Sequence, residues 1–338
     1  MPHRFALLGA GFIGSVHAAN LAAHPGIDFR FVYDIDAARA EALASRHGAQ
    51  ATTDLAEAFD PAEIDAVYIA SSTDTHAEHL RRAADAGIAV LCEKPIDLDL
   101  AAAVSTVEHV EASGITAMVD FNRRFDRDHA ALREVVASGG VGDVELLQLT
   151  NRGPSVPPLS YIAVSGGQMR DQTVHFFDLA CWIATAGAGD TTPVEVFAAG
   201  SALAEPRLVE HGDVDTSVVT MRLANGALVQ IDSVRRTGYG YDERIEAMGS
   251  TGLVESRRQQ SANVVRYGAE GLVGSPFHAG WFERVQPTYA AALGHFVGAL
   301  DGEHPVGPSL RDGLRAQAIA EAATESLRTN RPQPVTLP

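Results

Sequence analysis

The sequence predicts a two-domain α/β chain. A doubly wound parallel sheet comes first, followed by an α+β domain with an open-faced, mainly antiparallel sheet. Three observations point to this. Short apolar runs alternate with Ala-rich helical stretches through residues 1–121. After Asn122 the runs become β-type and alternate with turn signals. The length of 338 residues exceeds the ~100–200 of a usual single domain. The expected division is therefore 1–121 and 122–338, with the final helix able to pack back on the first domain.

Strands are expected at Phe5–Leu8, Phe29–Tyr33, Ala66–Ala70, Ala89–Cys92 and Thr116–Asp120, because these runs are apolar on both faces. Helices are expected between them at Ile13–His24, Asp36–His47, Thr75–Ala86 and Leu98–Ser113. Asp74 or Thr75 is a candidate N-cap, and Gly87 and Gly114 are candidate C-terminal stops. Alternation of this kind reads as right-handed βαβ crossovers. In the second part a helix is expected at His129–Ala137. Strands follow at Val144–Asn151, Val194–Ala199, Thr216–Leu223, Ala227–Val234, Arg244–Met248 and Asn263–Tyr267. Asn225-Gly226 marks a hairpin. Helical stretches at Asp171–Ala186 and Leu310–Arg328 complete the pattern.

Composition excludes several function classes. The formal net charge of −17 repels phosphate backbones and anionic lipid surfaces, so neither nucleic acid nor membrane is an expected partner. No apolar run reaches the ~18 residues of a membrane span. The apolar start imitates a signal peptide, but it reads better as a strand and a glycine turn. Two cysteines, Cys92 and Cys181, are too few for a disulfide framework, which predicts a reducing, cytoplasmic setting. The cations are 25 arginines and a single lysine, Lys94. A genome that favours arginine explains the 25. The exception is a position where an amine able to lose its proton has been kept.

Gly9-Ala-Gly11-Phe12-Ile13-Gly14 follows the first strand and opens the first helix. Gly9 suits a tight turn, Gly11 lets a pyrophosphate approach, and Gly14 lets helix and strand pack closely. This context predicts a dinucleotide-binding Rossmann domain, with the phosphates on the helix N-terminus. Asp34 ends the second strand, where a carboxylate binds the ribose diol and repels a 2′-phosphate. NAD is therefore the expected cofactor. Ser71, Ser72, Thr73 and His76 follow another strand at the carboxyl edge and are candidate cofactor contacts. Glu93 and Lys94, ahead of Pro95, follow the next strand, and proline favours an extended Lys94 that aims its amine at the same edge. Asp171 and His175 are spaced i, i+4, so a carboxylate could orient an imidazole that takes a proton. On spacing alone, a helix cap and a satisfied buried histidine are the commoner readings. No third metal donor is identifiable, and no metal is expected.

Taken in order, the glycine fingerprint, Glu93-Lys94-Pro95, Asn122-Arg-Arg-Phe-Asp126 and Ser165-Gly-Gly-Gln-Met-Arg-Asp171-Gln-Thr-Val-His175 resemble the glucose–fructose oxidoreductase/inositol dehydrogenase/rhizopine-catabolism family, nearest its bacterial inositol-dehydrogenase branch. The similarity runs through Arg235–Asp242 to Tyr289. It implies a Rossmann domain plus an open-faced sheet domain, and a homo-oligomer, often a tetramer. It implies a catalytic set on Lys94, Asp171 and His175, and polyol contacts from Arg123, Asn151, Tyr241 and Tyr289. The implied reaction is NAD-dependent oxidation of a ring secondary alcohol of a cyclic polyol, with myo-inositol first. Another inositol isomer, an aldose, transient oxidation in glycoside cleavage, and a non-catalytic NAD-binding regulator are the alternatives. The chain departs from the family pattern at Gln168 and Phe176, both near the substrate positions.

Overall fold

In the first 122 residues, strands apolar on both faces alternate with helices. The computed structural model describes all residues from Met1 to Pro338. The elements run β1 (His3–Leu8), α1 (Phe12–Ala23), β2 (Ile27–Tyr33), α2 (Ala37–His47), β3 (Gln50–Thr52), α3 (Leu55–Ala58), β4 (Ala66–Ile69), α4 (His76–Ala86), β5 (Ala89–Cys92), α5 (Leu100–Ser113) and β6 (Ala117–Val119). Every strand pair is parallel, in the order β3-β2-β1-β4-β5-β6. That is the Rossmann order, in which ligands bind beyond the carboxyl ends where the strand order reverses, here between β1 and β4. Residues 5–8 and 66–69 are fully buried, which explains their unbroken apolar runs. Asp36, Asp54 and Asp99 cap α2, α3 and α5 by accepting backbone N–H bonds. Thr75 stands at the N-cap of α4, one of the two positions expected, but its side chain makes no capping bond. The Thr75 hydroxyl bonds to Ser71 Oγ and the Ser72 carbonyl instead.

In the later residues the order is α6 (Arg127–Ala137), β7 (Val144–Arg152), α7 (Leu159–Ser165), α8 (Val174–Ala184), β8 (Pro193–Ser201), β9 (Thr216–Leu223), β10 (Leu228–Val234), β11 (Asp242–Gly249), β12 (Gly252–Ser256), β13 (Val265–Gly268), β14 (Gly271–Gly274), α9 (Trp281–Leu300), α10 (Leu310–Thr329) and β15 (Gln333–Pro334). Seven of these strands form one sheet, β12-β11-β7-β10-β9-β8-β15. All its pairings are antiparallel except β7 with β10. Along β9 the burial alternates, with Val219, Met221 and Leu223 inside and Val218 exposed, so the sheet has one covered and one open face. The apolar helix α8 packs on β7.

Two compact units result. The first holds Met1–Asn122 and Thr288–Arg315, with Pro338. The second holds Arg123–Pro287 and Ala316–Leu337. The sequence-based division gave 122–338 to the second domain, with the final helix able to pack back on the first. The structure returns Asn122 and 288–315 to the first, where Phe296 meets Phe5 ring to ring and Pro308 accepts a bond from the Val119 amide. Helix α9 had no counterpart in the sequence reading, since Pro287 in its interior breaks the helical pattern.

Candidate active site

In the first unit the glycine turn is built as its spacing requires. Gly9 has φ +103°, and a Cβ there would lie 2.5 Å from the Ala70 carbonyl oxygen. A Cβ on Gly14 would meet the Gly9 carbonyl oxygen at 2.0 Å, so helix and turn touch there. At Gly11 a Cβ would meet nothing within 4 Å, which leaves the approach open. Helix α1 starts at Gly11 with no side-chain cap, so its first N–H groups remain available to an anion. Phe12 is exposed and Ile13 half-buried. Asp34 accepts from the Ala10 amide at 2.8 Å and from the Asp36 amide at 2.9 Å. One carboxylate thus fixes the glycine turn while keeping lone pairs for a ribose diol. These features fit a dinucleotide.

Ser71, Ser72 and Thr73 follow β4 at the same carboxyl edge. His76 is buried, and its ring nitrogens lie 2.7 Å from the Pro95 carbonyl and 3.1 Å from the Ser71 carbonyl. It ties the loops after β4 and β5 together. Lys94 is half-buried just past β5, next to a cis bond to Pro95. Glu93 turns inward. Its carboxylate lies 2.9 Å from His17 Nε2 and accepts the Lys94 amide at 3.3 Å. Burial raises the Glu93 carboxyl, but the bond from His17 and the charges of His17, Lys94 and His76 together outweigh it and hold the group below its ordinary range. Asp120, which accepts from Tyr68 Oη, completes a buried cluster with His17 and Glu93, the three offering ligand atoms within 4.8 Å of one another that could hold a metal ion. Tyr289 is buried, with its ring edge-on to His17 at 5.3 Å.

In the second unit the expected α-helix at Asp171 starts differently. Met169–Thr173 form a π turn that runs into α8 at Val174, and π turns recur at functional sites. Asp171 accepts from Tyr161 Oη at 2.7 Å. The Asp171 carboxylate lies 3.6 Å from the buried Arg235 guanidinium, which is also 3.5 Å from Asp213. His175 is half-buried on the first turn of α8. Asn151 is buried and exchanges hydrogen bonds with Gln172. Arg123 is buried 3.7 Å from Glu243, and Tyr241 Oη donates to Glu243 at 2.9 Å. Burial and then Glu243 push the Tyr241 hydroxyl upward, so it stays protonated and able to donate. Gln168 is buried with its side chain bonded to Ser217 and Gln172, and Phe176 is packed in the core.

Residues 3–121 match the oxidoreductase family described by its NAD-binding Rossmann fold, and 129–255 match the GFO/IDH/MocA C-terminal domain. The chain belongs to the GFO/IDH/MocA family. It is an oxidoreductase with an NAD-binding Rossmann domain. Among similar GFO/IDH/MocA proteins, the inositol 2-dehydrogenase of Rhizobium meliloti is 39% identical, covering 98% of each chain. The myo-inositol 2-dehydrogenase of Thermotoga maritima is 36% identical over 97% of each. A crystal structure of a myo-inositol dehydrogenase from Corynebacterium glutamicum superposes with TM-score 0.92 at 36% identity, covering 99% of both chains. No helix of this GFO/IDH/MocA chain is long and apolar enough to cross a membrane. Sequence reasoning missed His17, Glu243 and Arg235, which meet their partners only through the fold. For Arg235 the signal available was one arginine of an Arg-Arg pair ending a strand.

Proposed function

We propose that this oxidoreductase oxidises a ring secondary alcohol of a cyclic polyol, C2 of myo-inositol first, to the ketone scyllo-inosose. The observation that carries the reading is the near-full-length similarity to proteins named for inositol oxidation. The retained lysine at the carboxyl edge of β5 supports it. NAD⁺, when bound, supplies the hydride acceptor. His175 takes the hydroxyl proton, and Asp171 orients its imidazole. Lys94 donates a hydrogen bond to the same oxygen and stabilises negative charge developing there. Arg123, Asn151, Tyr241 and Tyr289 bind the other hydroxyls. A neutral polyol needs such hydrogen-bonding side chains rather than a charged pocket.

The same reading includes a homotetramer and, with Cys92 and Cys181 both buried, a reducing cytoplasmic setting. Light scattering of the purified chain tests the first of these. The reaction is tested by a panel of inositol isomers and aldoses with NAD⁺, following NADH absorbance. Turnover highest on myo-inositol is expected. Absence of NADH with every polyol, or release of free sugar without net NADH, would overturn the reading.

A further inference from the structure

The buried cluster behind Lys94 joins two parts of the first unit that lie far apart in sequence. His17 sits on the inner face of α1, the helix that opens at the glycine turn, and it is fully buried. Its Nε2 reaches Glu93 Oε1 at 2.9 Å, and the other Glu93 oxygen accepts the Lys94 amide. The imidazole packs against Tyr68 with ring centroids 3.9 Å apart and planes tilted by 30°, and meets the Tyr289 ring at 85°. His17 Nδ1 is buried with no hydrogen-bond partner, so the ring is held by one directed bond and two aromatic contacts.

We infer that His17 is a positioning residue: through Glu93 it fixes the backbone from which the Lys94 amine projects, and so links the dinucleotide-binding helix to the lysine. Three points carry this. The bond joins two buried side chains, where a hydrogen bond to a carboxylate is strong and its loss leaves a charge unpartnered. Glu93 is adjacent to Lys94 and bonds to its amide directly. A misplacement of about 1 Å at a reacting group costs on the order of 10²-fold in rate. Glu93, expected from sequence at the cofactor, acts in this account from inside the protein.

The inference rests on the proposed role of Lys94, and its test has a readout that needs no turnover. Because Lys94 is the only lysine, protein grown on [¹⁵N]lysine gives a single lysine amide resonance, from the group that donates to Glu93. Two variants are compared with wild type, each with NAD bound. His17→Phe keeps an aromatic ring against Tyr68 and Tyr289 and removes the bond. His17→Gln places an amide donor where Nε2 stood. In His17→Phe the amide resonance is expected to move and kcat to fall about tenfold or more, with NAD affinity and polyol KM within about threefold of wild type. In His17→Gln both are expected to return toward wild type. An unmoved resonance in His17→Phe, or the same change in both variants, would overturn the inference. Should His17→Phe not fold, Glu93→Gln replaces it and must displace the resonance while His17→Gln does not. If no polyol is oxidised by wild type but the resonance behaves as expected, the proposed reaction fails and the link between His17 and Lys94 stands.

Discussion

The surroundings of Lys94 and of Asp171 are held in different ways. Behind Lys94 the support is a chain of hydrogen bonds that starts from buried side chains, His17 to Glu93 at 2.9 Å and Glu93 to the Lys94 amide at 3.3 Å. Beside Asp171 the support is a half-exposed tyrosine hydroxyl and a buried guanidinium. Arg235 lies 3.5–3.6 Å from two carboxylates, and none of its three guanidinium nitrogens has a hydrogen-bond partner. The first arrangement fixes position. The second adds a nearby positive charge to the bond from Tyr161. The lesson is that the lysine is set by hydrogen bonds to its own backbone, and Asp171 by one bond and a neighbouring charge.

Four predictions bear on that contrast. The largest effect is expected from Arg235→Leu, which strips two carboxylates of their shared cation. Removing one partner of a buried charge group costs about 3–5 kcal/mol, so thermal unfolding should drop by on the order of 10 °C. A melting temperature like that of wild type would mean that the guanidinium supplies little charge stabilisation. Next are Lys94→Ala and His175→Ala, each expected to lower kcat at least ~10²-fold while NAD titration stays near normal. Wild-type turnover in either would sink the proposed chemistry.

The third prediction separates the units by pH. Burial holds His79, in the first unit, down to about 4 from its ordinary value, so the unfolded state binds the proton more readily. The stability this group contributes is present above pH ~6.5 and is lost as pH falls toward about 4, amounting to about 3 kcal/mol. In the second unit burial raises Asp126, but the charge of His129 and the bond from Arg284 outweigh it and hold the group at about 2. Its contribution of about 2 kcal/mol is present above pH ~4 and is lost only as pH falls toward about 2. Melting curves of wild type and His79→Gln across pH 6.5 to 3 check this, and the variant should lose the upper part of the decline. An unchanged decline would put the sensitivity elsewhere. The smallest effect is expected from Asp34→Ser, which should shift the ratio of kcat/KM for NAD over NADP by about tenfold toward NADP. Because Asp34 also fixes the Ala10 amide, KM should rise for both cofactors.

Much of the first unit was legible in the sequence because its determinants are neighbours along the chain. Gly9, Gly11 and Gly14 act within one turn and the helix it opens. Strands β1, β2, β4 and β6 deviate from the expected ends by one or two residues and Ala89–Cys92 is as expected, while the short edge strand β3 had no counterpart in the sequence reading. The second unit was less legible. Its open sheet and hairpin were readable from alternation and Asn225-Gly226, but the π turn at Asp171 was not, because its sequence differs little from that of an α-helix. Helix α9 was hidden by Pro287.

By itself, then, the sequence determined the fold class, the dinucleotide turn and the exceptional lysine, all of which follow from periodicity, backbone sterics and composition. Tertiary structure decided what supports them. His17 and Glu93 are 76 positions apart, and Arg235 reaches Asp171 from another strand end. Such pairs are selected by burial, where an unpartnered polar group is costly, and no local pattern records which distant residue will fill that need.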